Sequence, residues 1–136
     1  MKIELFAVAD FAVEQAGKLT IVGVFDTLCC HSLPVVHELC AVVAKLRFEK
    51  IEEGTKRVRL NLSDADGKLV LPSVDLPLDV RMNEDQHTLT KNIVVKIGGL
   101  KIEKEGEYSF DLAVDGRHEA SIPLFVRVVQ SLPPLS

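Results

Sequence analysis

The sequence predicts an all-β fold: two antiparallel sheets, about eight or nine strands in total, stacked as a β-sandwich. Three observations carry that expectation. Apolar and polar residues alternate with a period of two over several long stretches. Asp-Gly pairs stand between such stretches and supply the positive φ that a two-residue hairpin turn requires. No segment carries an apolar stripe of 3.6-residue period long enough for a helix.

Taken along the chain, residues 2–9 form the first strand candidate. "DFAVEQA" (10–16) has room for one turn of helix within a loop, and Gly17 marks a turn. Residues 18–28 read as one strand, with Leu19, Ile21, Phe25, Thr27 and Cys29 sharing a face. Residues 39–48 put Cys40, Val42, Ala44, Leu46 and Phe48 on one face, and "EKIEEGT" (49–55) is a charged connection. In "KRVRLNLSD" (56–64), Val58, Leu60 and Leu62 alternate with Arg57, Arg59 and Asn61. Residues 67–71, 75–81 and 88–97 are further strand candidates, and Gly98-Gly99 marks a turn. In "EYSFDLAVD" (107–115), Tyr108, Phe110, Leu112 and Val114 share a face. In "HEASIPLFVRV" (118–128), Ala120, Ile122, Leu124, Val126 and Val128 do the same. Asp66-Gly67 and Asp115-Gly116 are the two expected hairpin turns.

A chain of 136 residues fits one domain, expected over 1–129, with "QSLPPLS" (130–136) as a loose C-terminal tail. It is 47% hydrophobic, with a mean hydropathy of +0.20, well away from disordered compositions. A net charge of −4, no Trp and one Tyr argue against nucleic acid as a partner. No stretch approaches the ~20 apolar residues of a membrane span. Ala7-Val8-Ala9 resembles a signal-peptidase site, but Glu4 and Asp10 leave too short an apolar run before it, so no signal peptide is expected. The three cysteines, two of them adjacent, make a poor disulfide framework and point to free thiols in a reducing, cytoplasmic setting.

"GEYSFDL" (106–112) resembles the tyrosine-corner region of immunoglobulin-like sandwiches, with Gly106 and Tyr108 in the two key places. The resemblance implies an Ig-like fold in the broad sense. The antibody signature itself, a Trp and an inter-sheet Cys pair, is missing. Three segments together, "ADFAVEQAGKLTIVGVFD" (9–26), "LPVVHELCAVVAKLRFE" (33–49) and "GEYSFDLAVDGRHEASIPLFV" (106–126), resemble a family of small uncharacterised bacterial proteins, a domain of unknown function. That resemblance implies a bacterial, cytosolic origin and carries over no activity, cofactor or catalytic residue.

"CCHSLPVVHELC" (29–40) holds every cysteine of the chain. A zinc site there would use Cys30, His31, His37 and Cys40. Adjacent residues in extended chain face apart, which argues against Cys30 and His31 meeting one ion. In the plainer reading, Cys29 and Cys40 are small buried hydrophobes at the ends of two strands. A nucleophilic thiol would need a base, for which only His31 and His37 are near. "SDADG" (63–67) lacks EF-hand spacing. Calcium or a small ligand at one loop end would draw on Asp64, Asp66 and Asp115, against the plainer reading of these as turn residues. No catalytic constellation and no cofactor motif stands out, so an enzyme is not the favoured reading.

One anomaly points outward. Leu39, Ala41 and Val43 are apolar opposite an apolar core face, and Phe125 and Val129 lie opposite the core set of the last strand. Such residues need a cover: a loop, Leu132 and Leu135 of the tail, or another chain. Leu39, Val43, Phe125 and Val129 are therefore the interface candidates. The favoured function is a non-enzymatic sandwich acting through protein contacts, as a homodimer or larger even oligomer; a metal-binding or loop-end ligand-binding role is the alternative.

Overall fold

A computed structural model of the chain describes residues 1–130. The strands are β1 (Lys2–Gln15), β2 (Lys18–Val24), β3 (Thr27–Cys30), β4 (Val35–Glu49), β5 (Gly54–Ser63), β6 (Val74–Val80), β7 (Thr88–Ile102), β8 (Gly106–Val114) and β9 (Arg117–Val128). They form two sheets, in the orders β2-β1-β4-β7 (sheet A) and β3-β9-β8-β5-β6 (sheet B). The all-β sandwich is thus borne out. Leu132 and Leu135, one of the three covers open to the sequence reading, lie outside the described residues.

The inner faces interdigitate as the alternation dictates. Cys40, Val42, Ala44, Leu46 and Phe48 of β4 point inward and are buried. From sheet B, Val58, Leu60 and Leu62 meet them, with Tyr108, Phe110, Leu112, Leu124 and Val126. The Asp115-Gly116 turn carries positive φ at both residues (50° and 79°), the type I′ geometry expected for β8–β9.

Five sequence expectations are corrected. First, "DFAVEQA" is extended, not helical: β1 continues to Gln15 and turns at Ala16-Gly17, both at positive φ, into β2. Apolar Phe11 and Val13 at period two were the available sign. Second, residues 18–28 are two strands in different sheets. The chain crosses over at Phe25–Asp26, so the face assignment does not carry through. Third, β3 runs parallel to β9, which makes sheet B mixed instead of antiparallel. The Phe125 and Val129 amides donate to the carbonyls of Asp26 and Cys30, at 2.7 and 2.8 Å, and fix that register.

Fourth, residues 67–71 make no strand, only a bridge between Ser63 and Leu69. The Asp64 carboxylate organises them as a turn, accepting from the amides of Asp66 (3.0 Å) and Lys68 (2.9 Å). Fifth, Gly98-Gly99 does not end β7. Gly99 takes φ +65° inside it, and the inward set changes from Ile93 and Ile97 to Leu100 and Ile102.

The β1–β2 hairpin explains the two-faced apolarity of β4. β1 pairs with β4 only up to Ala9↔Ala41, then with β2 alone. Beyond Ala9 the hairpin folds across the outer side of sheet A. Ala12 joins Ala41 and Val43 in a separate small core, capped by Leu5, Leu19, Ile21 and Val94. At the hairpin tip, the Asn92 side-chain amide donates to the Gly17 carbonyl at 3.1 Å. Val43 is consequently 0% exposed. Its cover is the chain's own hairpin, so Val43 is not available to a second chain.

Candidate functional site

The cysteine-histidine segment spans the step from sheet B to sheet A, and that step separates its ligand-bearing residues. β3 alternates across its sheet. Cys29 lies opposite exposed Arg127 on the outer side, whereas Cys30 lies opposite Val128 and is buried. The expectation that Cys29 is the buried one is corrected by the break at Phe25–Asp26. The Cys30 thiol donates to the Arg127 carbonyl at 3.6 Å. His31 stands exposed in the connection. His37 is half-buried against Phe25, ring centroids 5.9 Å apart, and its Nε2 is buried with no hydrogen-bond partner. Cys40 sits in the main core, and burial, with a smaller contribution from the Asp10 charge, pushes its thiol pKa up to about 11. That is an inert thiol at neutral pH.

Cys30, His31, His37 and Cys40 therefore form no ligand set. Among the described residues, no group of three or more His, Cys, Asp or Glu side chains is placed to hold a metal ion. The reason is the one visible in the sequence. Cys30 and His31 are neighbours, one turned into the core and the other out.

The loop-end carboxylates do not converge either. Asp64 follows the last residue of β5. Asp115 instead faces Arg57 near the other end of β5: its Oδ1 accepts from the Arg57 amide at 2.8 Å, and its own amide donates to the Arg57 carbonyl at 2.8 Å. Seven residues of strand, roughly 20 Å, separate the two positions. Both carboxylates are satisfied by backbone amides, as turn residues are. The single loop-end site built from Asp64, Asp66 and Asp115 is thereby corrected.

At the Asp64 end lies an open cleft of about 440 Å³. Lys68, Lys101 and Lys104 line it, but so do Asp64, Asp66 and Glu103. The two signs balance, which leaves no net field to hold a charged ligand. Tyr108 closes the floor. Its hydroxyl donates to the Lys104 carbonyl at 2.5 Å, and burial raises its pKa, so it is a loop fastener and not an acid.

A polar cluster on the outer side of sheet B was not singled out from the sequence. Asp111 accepts from the hydroxyls of Ser63 (3.3 Å), Ser109 (2.8 Å) and Ser121. The His118 ring Nε2 is 3.2 Å from the Ser121 oxygen. The Ser121 proton points at Asp111 and not at His118, so the trio lacks the order of a nucleophile and its base. Its signal in the sequence is the alternation itself, which puts Ser109 and Asp111 on the wet side of β8.

Part of the apolar exposure gathers on one side of sheet A, while Ile51, Leu69 and Val128 are exposed elsewhere. Phe11 (45% exposed), Val22 (54%) and Val24 (64%) project from the outward face of the β1–β2 hairpin, and Leu39 (49%) lies on the same side of sheet A. Phe11 faces Val22 across the hairpin and Val24 faces Ala9. Of the other interface candidates, Phe125 and Val129 are half-buried. Phe11 was missed because residues 10–16 read as a loop; Val22 and Val24 lie in the expected strand 18–28, on the face opposite its assigned core set, and were not singled out.

A family model matches residues 4–127, from within β1 to within β9. The chain belongs to the Family of unknown function (DUF6941). The resemblance to a domain family without assigned activity is borne out. The matched span takes in the hairpin and both sheets. No curated protein matches the chain.

Proposed function

We propose that this β-sandwich acts by protein contact, as a homodimer or larger even oligomer, and carries no catalytic site. The observation behind this reading is the apolar surface of Phe11, Val22, Val24 and Leu39 on one side of sheet A. Exposed apolar groups gathered on one face are costly in water and mark contact surfaces. The polar clusters, by contrast, satisfy themselves internally. Light scattering at low micromolar protein tests the reading, with a dimer or larger even oligomer expected. Val24→Glu, at a site with little burial to lose, should weaken the assembly while leaving the fold intact. A wild-type monomer at about 100 micromolar would overturn it.

We infer further that the sandwich is immunoglobulin-like in the broad sense. Two features support this. The Tyr108 hydroxyl bonds back to the loop at Lys104, as in a tyrosine corner. The run β9-β8-β5-β6 follows the order G-F-C-C′, and β1-β4-β7 follows A-B-E. A cytoplasmic setting fits the free state of Cys29, Cys30 and Cys40. Titration of unfolded protein prepared without reductant should find all three thiols, and a reproducible loss of one pair would contradict that setting.

A further inference from the structure

We propose that two copies of the chain join through edge strand β2, antiparallel about a two-fold axis at Thr20, so that their β1–β2 hairpins become one continuous ribbon. The proposal rests on the self-association reading above and names its surface.

Sheet edges carry unpaired backbone groups, and soluble proteins usually blunt them. Among the described residues, three of the four edges are blunted. β3 is four residues long. β6 carries Pro77 between Asp75 and Asp79. β7 carries Lys91, Lys96 and Lys101 and bends at Gly99. β2, "KLTIVGV", has no proline and a single charge at its first residue.

The hairpin turn fixes which groups of β2 are free. A two-residue turn at Ala16-Gly17 makes Gln15↔Lys18 a hydrogen-bonded pair. Alternation then makes Val13↔Thr20 and Phe11↔Val22 hydrogen-bonded as well. The N–H and C=O groups of Leu19 and Ile21 are left pointing out of the sheet. Among the described residues, no backbone bond from another element reaches them.

These free groups are complementary to themselves. Centring the axis on Thr20 sets Leu19 against Ile21 of the second copy, and Ile21 against its Leu19, each pair exchanging N–H···O bonds both ways. Centring on Ile21 would bring Gly23 into the pairing, where φ is +72° and the Asp10 carboxylate packs over the backbone. The regular stretch Lys18–Val22 therefore selects Thr20.

The side chains agree. Leu19 and Ile21 are already committed to the small core over Val43. Thr20 and Val22 lie on the open face, with Phe11 beside Val22. Pairing lays Lys18 of one copy along Val22 of the other, where its stem covers apolar surface. The two Lys18 ammonium groups stay about four residues apart, roughly 13 Å, so no like charges oppose. An unrelated extended peptide would find the same backbone groups but not this symmetric match of side chains. A two-fold contact needs only one such patch.

The axis gives the test. Thr20 is exposed and meets its own copy directly. Thr20→Glu and Thr20→Lys each place like charges against one another and should raise the dissociation constant by at least about tenfold. Urea midpoints at concentrations where each protein is monomeric should stay unchanged. Mixing the two variants should restore a heterodimer. Amide exchange at Leu19 and Ile21 should be slow in the wild-type assembly and fast in either variant alone. If both variants assemble as the wild type does, β2 pairing is overturned while self-association through another surface stands. If the wild type is itself monomeric, the self-association reading falls and this proposal with it.

Discussion

The outer sides of the two sheets obey different rules. Sheet B carries exposed Arg57 and Arg59 and half-buried Asn61, Ser63, Ser109 and Asp111 on its outer side, the usual polar dress of antiparallel strands with one core face. Sheet A turns Ala41, Val43 and Val94 outward and buries them under its own β1–β2 hairpin. One sheet solves its outer face with polar residues, the other with one extra layer of chain, its own hairpin. The cost of the second solution appears one level further out, where the hairpin's own outward face exposes Phe11, Val22 and Val24. Covering an apolar face with an apolar hairpin moves the exposure and does not remove it. The apolar exposure on this side of the sheet accordingly lies on the hairpin and at Leu39, and not at Ala41 and Val43.

Val43→Glu puts the contrast to its hardest test. Val43 is fully enclosed between β4 and the hairpin. A carboxylate there has no partner, and the variant should lose about 4 kcal/mol or more in urea unfolding. Ala113→Glu, on the outer side of sheet B and paired across the ladder with Arg59, should cost far less. A Val43→Glu protein within about 1 kcal/mol of wild type would mean that the hairpin lifts off readily and the small core is not a core.

Ala12→Leu asks how tightly the hairpin seats. Ala12 is buried against Ala41 and Val43, with no room for three more carbons. Overpacking should cost about 1–3 kcal/mol. Ala113→Leu, its counterpart on the outer side of sheet B, should stay within about 0.5 kcal/mol. Equal effects at the two sites would erase the distinction between a covered and an open face.

The sandwich itself was legible because alternation is a direct record of which side of a strand meets the core. Val58, Leu60 and Leu62, or Phe110, Leu112 and Val114, need nothing beyond period two to be placed. The covered face was half legible. Ala41 and Val43 announced that something lies over them, but a single strand's pattern cannot say what. The answer depended on 10–16 being extended, and "DFAVEQA" mixes polar residues with Ala-rich spacing that suits a helical turn nearly as well. The crossover at Phe25–Asp26 left no mark, because Thr27–Cys30 continues the apolar run of β2 into the other sheet. The parallel β3–β9 pairing followed from that crossover. That Cys30 and His31 face apart was legible in the sequence, whereas the separation of Asp64 from Asp115 needed the β5–β8 register.

Tyr108→Phe compares the fastened end of the sandwich with its open faces. The lost bond to the Lys104 carbonyl crosses from β8 to the loop that closes the cleft. A partly buried carbonyl loses its donor, so the variant should fall by about 1 kcal/mol. An unchanged midpoint would show that water replaces the hydroxyl and that the corner does not hold the loop.

Asp75→Asn tests the polar dress of sheet B, where the smallest effect is expected. Arg59 Nε lies 3.0 Å from Asp75 Oδ1 across β5–β6, with a second contact at 3.4 Å, close to a bidentate pair. Geometry alone would make it a strong bond. But the Arg59 and Asp75 side chains are 56% and 37% exposed, so water screens the charges and both chains surrender entropy to hold the arrangement. The substitution should cost about 0.5 kcal/mol or less at low salt, and less again near 1 M salt, where the Debye length is about 3 Å. The hairpin variants should show no such attenuation, since the contacts over Val43 are apolar. An Asp75→Asn loss above about 1.5 kcal/mol that persists at high salt would make sheet B's outer face structural in its own right. The two sheets would then differ in the chemistry of their covers and not in whether they have one.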